Sequence, residues 1–348
     1  MSSEGGVSWA VGWLKKWMDY YRDLGGGFEE EELIVSEKDA QEALAGEAVA
    51  TVVALYIYPI KSCGRISLTR ASLEPTGLRW DRQWMVVREN GRPLTQRIAP
   101  KMCQIEISLP EEVLYGKVRK PPRHAVMILK APGMEELKVP LTPSKPYAIM
   151  EPVNIWGWVG PALDEGTVAA EWLTKYLELP SRLVRFDLDN AVRETDPRHA
   201  SGHKTAFADA LPMLLLSQAS LDALNARLAK PVDIDRFRPN IVVDGCEEFA
   251  EDFWKTFQIG RLTFHGVSLC PRCKQTTVDK ETLMFEPEPL STLRTFRAGR
   301  YLTSEHRVRN SVYFGHFLIC EPPSKGTSTK IEVGNRVHLV EKASPSYF

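Results

Sequence analysis

Cys270-Pro271-Arg272-Cys273 puts two thiols around a proline and a fixed cation. The thiolate is the form of cysteine that binds soft metals or attacks electrophiles, and a neighbouring guanidinium favours it. A structural zinc site needs four ligands, yet the chain has no second pair of this spacing and His265 is the nearest imidazole. A redox dithiol would open a helix after a strand, whereas Lys274 to Asp279 is rich in Thr and Val and reads as extended. An inert buried thiol pair is the third alternative, and these four residues alone leave it open.

Three other turns carry polar or cationic groups. Pro59-Ile60-Lys61-Ser62-Cys63 follows a strong strand signal, so Lys61 and the Ser62 hydroxyl project from a strand end, a common place to grip an anion. Arg79-Trp80-Asp81-Arg82 and Arg236-Phe237-Arg238-Pro239-Asn240 each precede a further strand. Each turn alone reads as a surface turn or an ion pair, and no Gly-rich phosphate loop or GxGxxG sequence is present. Together they predict a site for a phosphorylated, multiply anionic ligand beside a thiolate.

Strands joined by Pro and Gly turns must position these groups. Thr51 to Tyr58 is β-branched and aromatic and stops at Pro59. Further strands are expected at Ile66 to Leu73, Gln83 to Arg88, Cys103 to Leu109, Ala125 to Leu129, Asn154 to Trp158 and Leu183 to Phe186. Helical spacing marks Val168 to Leu177, and Ser217 to Leu228 with Ser217 as its N-cap. Between them Asp187 to Ala208 is polar, as a loop over a site would be. Strand signals resume at Asn240 to Val243, Arg261 to Phe264, Tyr313 to Cys320 and Arg336 to Val340.

The remaining features bound the class. A chain of 348 residues can hold two ordinary domains, and a hydrophobic fraction of 43% excludes wholesale disorder. A net charge of -1 offers no global attraction to nucleic acid, so no nucleic-acid partner is expected. Six scattered cysteines with one close pair read as thiols facing a reducing compartment. Neither a spanning apolar stretch nor a secretory leader is visible. Residues 7–24 form an amphipathic pattern with Trp9, Trp13, Trp17, Tyr20 and Tyr21 on one side, suited either to a membrane surface or to packing on protein. Gly25-Gly26-Gly27 then ends that helix, ahead of an acidic run.

Read in order, Tyr58-Pro59-Ile60-Lys61-Ser62-Cys63, Gly77-Leu78-Arg79, Asp81-Arg82, Leu94-Thr95-Gln96-Arg97, Phe237-Arg238-Pro239-Asn240, Ala250-Glu251-Asp252 and Cys270-Pro271-Arg272-Cys273 with Thr277-Val278-Asp279 resemble the MOSC-domain proteins. That family is named for the C-terminal domain of molybdenum-cofactor sulfurase, and the subfamily most resembled is the amidoxime-reducing component of mitochondria. The resemblance runs from about Val52 to Val340. It implies an α+β, mostly β fold: an appended helix and linker at 1–47, a β-rich MOSC-associated domain at 48–180, a MOSC β-barrel domain at 181–342 and a short tail.

The resemblance also implies a molybdenum cofactor held between the two domains. Cys273 is then the metal ligand, Cys270 a packing neighbour, and Lys61, Ser62, Arg82, Arg238, Asn240, Pro271 and Arg272 the cofactor contacts. The implied activity is reduction of N-hydroxylated compounds such as amidoximes, hydroxylamines and N-hydroxylated bases. Electrons would come from cytochrome b5 and its NADH-dependent reductase, at the cytosolic side of the outer mitochondrial membrane. The rival reading is a carrier that hands cofactor or sulfur to another enzyme. Three departures from the family pattern stand out. Ala210-Leu211-Pro212 lacks hydroxyls, Phe317 replaces a tyrosine, and Asp279-Lys280-Glu281-Thr282-Leu283 replaces a turn that ends in glycine, so an altered turn is expected.

Overall fold

Apolar side chains alternating with exposed ones make Glu47–Ile57 (β1) a half-buried strand: Val52, Leu55 and Ile57 are fully buried while Val53 is exposed. The computed structural model describes residues 46–116, 120–142, 146–303, 308–323 and 328–343. The helix expected at 7–24 lies outside the described residues. After β1 come Ile66–Leu68 (β2), Arg70–Glu74 (β3), Gly77–Leu78 (β4), Trp84–Val87 (β5) and Glu106–Ser108 (β6). Two antiparallel pairs follow, Val126–Lys130 (β7) with Leu137–Pro140 (β8), and Ala148–Ile155 (β9) with Trp158–Asp164 (β10). The helix Thr167–Leu177 then leads to Arg182–Arg185 (β11).

The second half supplies Met213–Ser217 (β12), Ile241–Asp244 (β13), Trp254–Ile259 (β14), Leu262–Arg272 (β15), Val312–Cys320 (β16), Lys330–Glu332 (β17) and Arg336–Lys342 (β18). The order β13-β12-β16-β15-β14-β18-β1 closes through a β1–β13 pairing into a seven-stranded barrel, parallel only at β12–β13. Closure removes the free edges that an open sheet would expose. A four-stranded sheet, β5-β11-β10-β9, stands beside it. The fold is thus mostly β, with few helices.

The expected division at residue 180 places β1 in the first unit, but its hydrogen bonds run to β13 and β18 of the barrel. One apolar cluster likewise extends from Leu55, Trp84 and Leu183 to Leu215, Ile241 and Phe264, so the two halves are packed as one body.

Several local expectations are corrected. Asn154 to Trp158 is not one strand but the end of β9 and the start of β10 around a Trp156-Gly157 turn, where both turn residues adopt positive φ. Lys274–Thr277 is a 3-10 turn rather than extended, because the Thr276 and Thr277 hydroxyls donate back to the Cys273 and Lys274 carbonyls. Cys103 belongs to the 3-10 turn Pro100–Gln104 ahead of β6. The strand β12 gives no alternating signal, because all five of its residues are buried. Pro271 continues β15 at a bulge between Leu269 and Pro271, where its missing N–H costs no ladder bond.

Candidate functional site

The chain leaves β1 at Tyr58-Pro59 and turns back on the segment before β5: Arg82 N donates to the Tyr58 carbonyl at 2.9 Å and Lys61 N to the Trp84 carbonyl at 2.8 Å. Tyr58 is buried, and its ring carries both Arg82, 4.4 Å from the centroid, and Arg238, 4.1 Å from it. One aromatic ring thereby gathers two guanidiniums from segments more than 150 residues apart in the chain. The arginines then lace the turns together. Arg82 donates to Asp81 at 2.6 Å, to the Asn240 amide oxygen at 3.1 Å and to the Arg238 carbonyl at 3.1 Å. Arg238 donates to the Cys63 carbonyl at 2.7 Å, and Arg272 to the carbonyls of Phe314 and Phe237. Gly315, at φ +81, leaves the room this needs: a Cβ there would sit 2.9 Å from the Leu215 carbonyl and 3.2 Å from Arg272 Nη2.

Lys61, Ser62, Arg82, Arg238, Asn240, Pro271, Arg272 and Cys273 all line one cavity of about 1240 Å³, so the structure brings every predicted site residue to one place. Three of them, Ser62 (φ 68), Arg82 (φ 46) and Arg238 (φ 56), are held in the left-handed region, where a side chain costs about 1–2 kcal/mol. Strain of this kind persists only where the surroundings over-determine it, and it gathers at binding sites.

The donors divide into spent and unspent. Asn240 has its amide oxygen taken by Arg82 and Leu214 N, and its amide nitrogen by the Tyr56 carbonyl, so it acts as the holder of Arg82. Lys61 donates to the Phe207 carbonyl at 2.9 Å and to Asp209 at 2.5 Å, and burial pulls its ammonium below the usual lysine range. Arg238 Nη2 and Arg272 Nη2 are buried and have no partner. A buried cationic donor without a partner marks a place where an anionic acceptor belongs. The cavity therefore fits a phosphate-bearing ligand on the structure's own terms.

The two cysteines are not equivalent. Cys270 is buried, which pushes its thiol up to about 11, while Cys273 is exposed and lines the cavity. Arg272, whose guanidinium was the expected partner of a thiolate, sends its Nε and Nη1 to carbonyls instead. Among the described residues no cluster of three or more His, Cys, Asp or Glu side chains could hold a metal, so a zinc site has no ligand set there.

Comparison with known proteins decides the kinship. Residues 49–180 match the MOSC N-terminal beta barrel domain and residues 202–338 match the MOSC domain. The chain is 36% identical over 263 residues to a protein of Bos taurus named mitochondrial amidoxime reducing component 2, covering 72% of this chain and 73% of that one. It is 34% identical over 304 residues to mitochondrial amidoxime-reducing component 1 of Mus musculus, covering 84% and 83%. The chain belongs to the MOSC-domain family of amidoxime-reducing components.

Against that family pattern the departures take definite places. Ala210, Leu211, Pro212 and Phe317 all line the cavity, so the lost hydroxyls are lost from its wall. The turn at Asp279 still closes: Asp279 Oδ1 accepts from Glu281 N, Thr282 N and the Thr282 hydroxyl, and Leu283 takes φ 60 where the family pattern has glycine. Asp279 also pairs with Arg236 at 3.0 Å, which keeps a further cation in the wall. Sequence reasoning missed Tyr58 as a platform, and also Arg193, Asp209 and Trp156. The only trace of the last two was an acid beside the Ala210 departure and a tryptophan beside a glycine in a supposed strand.

Proposed function

We propose that this chain is a molybdenum-dependent reductase of N-hydroxylated compounds. The observation that carries this reading is the pair of unpartnered, buried guanidinium N–H groups of Arg238 and Arg272 in the wall that also bears the exposed Cys273. The MOSC domain is of the molybdenum-cofactor-binding type, and the relatives carry amidoxime reduction in their names. Cys273 would hold the metal through its thiolate, while Lys61, Arg238 and Arg272 would take the phosphate and pterin acceptors. Ser62 and Pro271 complete that wall, and Asn240 fixes Arg82 within it. When bound, the cofactor supplies the two-electron chemistry that turns N–OH into N–H plus water, at two electrons and two protons per turnover.

In this reading electrons arrive from outside the chain, from the cytochrome b5 and NADH-dependent reductase pair that the family resemblance implies. The relatives' names support a mitochondrial location. Among the described residues no helix is long and apolar enough to cross a membrane. The Trp- and Tyr-rich side of residues 7–24 is the segment we propose for attachment to its surface.

The test is elemental molybdenum with release of a fluorescent pterin from purified protein, followed by turnover of benzamidoxime with a cytochrome b5 chain. Cys273→Ala should lower turnover at least about a hundredfold, equal to roughly 3 kcal/mol of barrier, with the thermal melt unchanged. Bound molybdenum without turnover would favour the carrier reading, and undiminished reduction by Cys273→Ala would remove the ligand assignment.

A further inference from the structure

The surface around Cys273 carries cations that the site as drawn does not use. Cys273 is exposed and follows Arg272, which pairs with Val312 at the start of β16. The chain just before Val312 is tied to the short helix Gly299–Leu302: Gly299 N donates to the Ser311 carbonyl at 2.8 Å and Arg300 N to the Arg309 carbonyl at 3.1 Å. The helix Leu290–Phe296 lies against the turn Lys274–Thr277, which Cys273 opens. Three segments thus border one thiol.

Lys274, Arg294, Arg300 and Arg309 on those segments are exposed, and among the described residues none of them has a carboxylate against it. Acids on the same stretch are engaged elsewhere. Asp279 and Glu286 face Arg236 at 3.0 and 3.5 Å, and Glu288 accepts from Thr292 N at 2.9 Å, while the exposed Glu281 has the exposed Lys280 as its neighbour. In a chain of net charge -1 such a group of cations is a local concentration. Large side chains accompany them: Tyr301 is 57% exposed with Arg300 5.0 Å from its ring centroid, Met284 is 66% exposed, and Phe285 is 42% exposed with Lys274 4.9 Å from its ring. Arg, Tyr, Phe and Met are the residue types enriched in protein–protein contacts. Met284 and Phe285 follow the Asp279 turn that departs from the family pattern.

We propose that this cationic rim is the docking surface for an acidic protein that carries one electron at a time. The surface rests on the reductase reading above. Each turnover there consumes two electrons, so two reduced carriers must dock in succession, each losing one electron and leaving oxidised. Release therefore matters as much as capture, and charges ringing a small apolar area suit the weak, fast encounters of electron-transfer partners. Carboxylates of the carrier would meet the guanidiniums, which brings it against the wall that bears Cys273.

Calorimetric binding of the haem domain of cytochrome b5 to the purified holoprotein tests the surface without turnover. Affinity should fall at least about tenfold between about 20 mM and about 500 mM salt, because exposed charges are screened. Arg300→Glu combined with Arg309→Glu should weaken binding at least about tenfold at low salt and lose most of that effect at high salt. Benzamidoxime turnover driven by reduced methyl viologen, a small donor that needs no protein contact, should stay within about twofold in the same variant. An affinity unmoved by the double variant, a loss undiminished at high salt, or an equal loss of viologen-driven turnover would each overturn the proposal. So would binding of phosphatidylserine vesicles through these arginines in place of the haem domain. Wild-type protein inactive with viologen would refute the reductase reading instead, while leaving carrier binding measurable.

Discussion

Two regions of this molecule bury polar groups, and they do so in opposite ways. Behind the barrel, Glu251 accepts from Ser217 N and the Ser220 hydroxyl, its carbonyl bonds His316, and Arg297 pairs with Asp252 at 2.5 Å. In the cavity wall, Arg238 and Arg272 are tied to carbonyls through some of their N–H groups only. Each region leaves atoms unpartnered: Asp252 Oδ1 and His316 Nε2 in one, the two Nη2 groups in the other. Charge separates them. Burial lowers His316 to about 4, so its imidazole stays neutral, and the Arg297 guanidinium has the Asp252 carboxyl against it. A guanidinium cannot shed its charge, and among the described residues neither Arg238 nor Arg272 has a carboxylate against it, so the second region stays cationic. Unpartnered buried groups alone do not mark a site; guanidiniums left without an acid do.

The sharpest way to break the comparison is Arg297→Leu, which leaves the Asp252 carboxyl, already lifted to about 7, protonated and without its partner, and should cost about 1–3 kcal/mol in denaturant unfolding. A loss below about 1 kcal/mol would show that the pair is not structural. Next comes acid. His316 has a folded pKa near 4 against 6.5 unfolded, so the unfolded chain binds the proton first as pH falls. Its contribution is present above pH 6.5 and is lost toward pH 4, by up to roughly 3 kcal/mol at 1.36 kcal/mol per unit. Melts from pH 7 to 4.5 should show this slope, and His316→Gln should flatten it.

In the cavity the corresponding change is Arg238→Met. It should weaken pterin retention by about 1.5–3 kcal/mol while unfolding stability moves by less than about 1 kcal/mol. A large stability loss with full pterin content would reverse the roles of the two regions. The smallest effect concerns strain. Leu283→Gly relieves a left-handed residue outside the cavity and should stabilise by about 0.5–1 kcal/mol, set by a gain of 1–2 less the entropy of glycine. No such relief is open at Arg82 or Arg238, because glycine there deletes the side chain.

Legibility followed residue type. The strand β1 announced itself by β-branched and aromatic residues that stop at Pro59, and Ser217 was readable as an N-cap because its oxygen accepts from Ser220 N. The strand β12, Met-Leu-Leu-Leu-Ser, was silent because it lacks the β-branched and aromatic residues that revealed the equally buried β5. Asn154 to Trp158 misled because valine, isoleucine and tryptophan surround what is a hairpin turn. In the site, cations at turn positions were legible one by one. Their partition was not: Asn240 holds Arg82, Arg272 faces carbonyls, and Asp209 and Trp156 enter the wall from other segments.

By itself the sequence determined the class of fold, the order of the motifs and the residue types that could meet an anion or a soft metal, since these follow from local pattern and side-chain chemistry. Only the tertiary structure decided which hydrogen-bond donors remain unspent. That depends on which carbonyls and carboxylates distant segments bring within about 3 Å, a distance no spacing along the chain encodes.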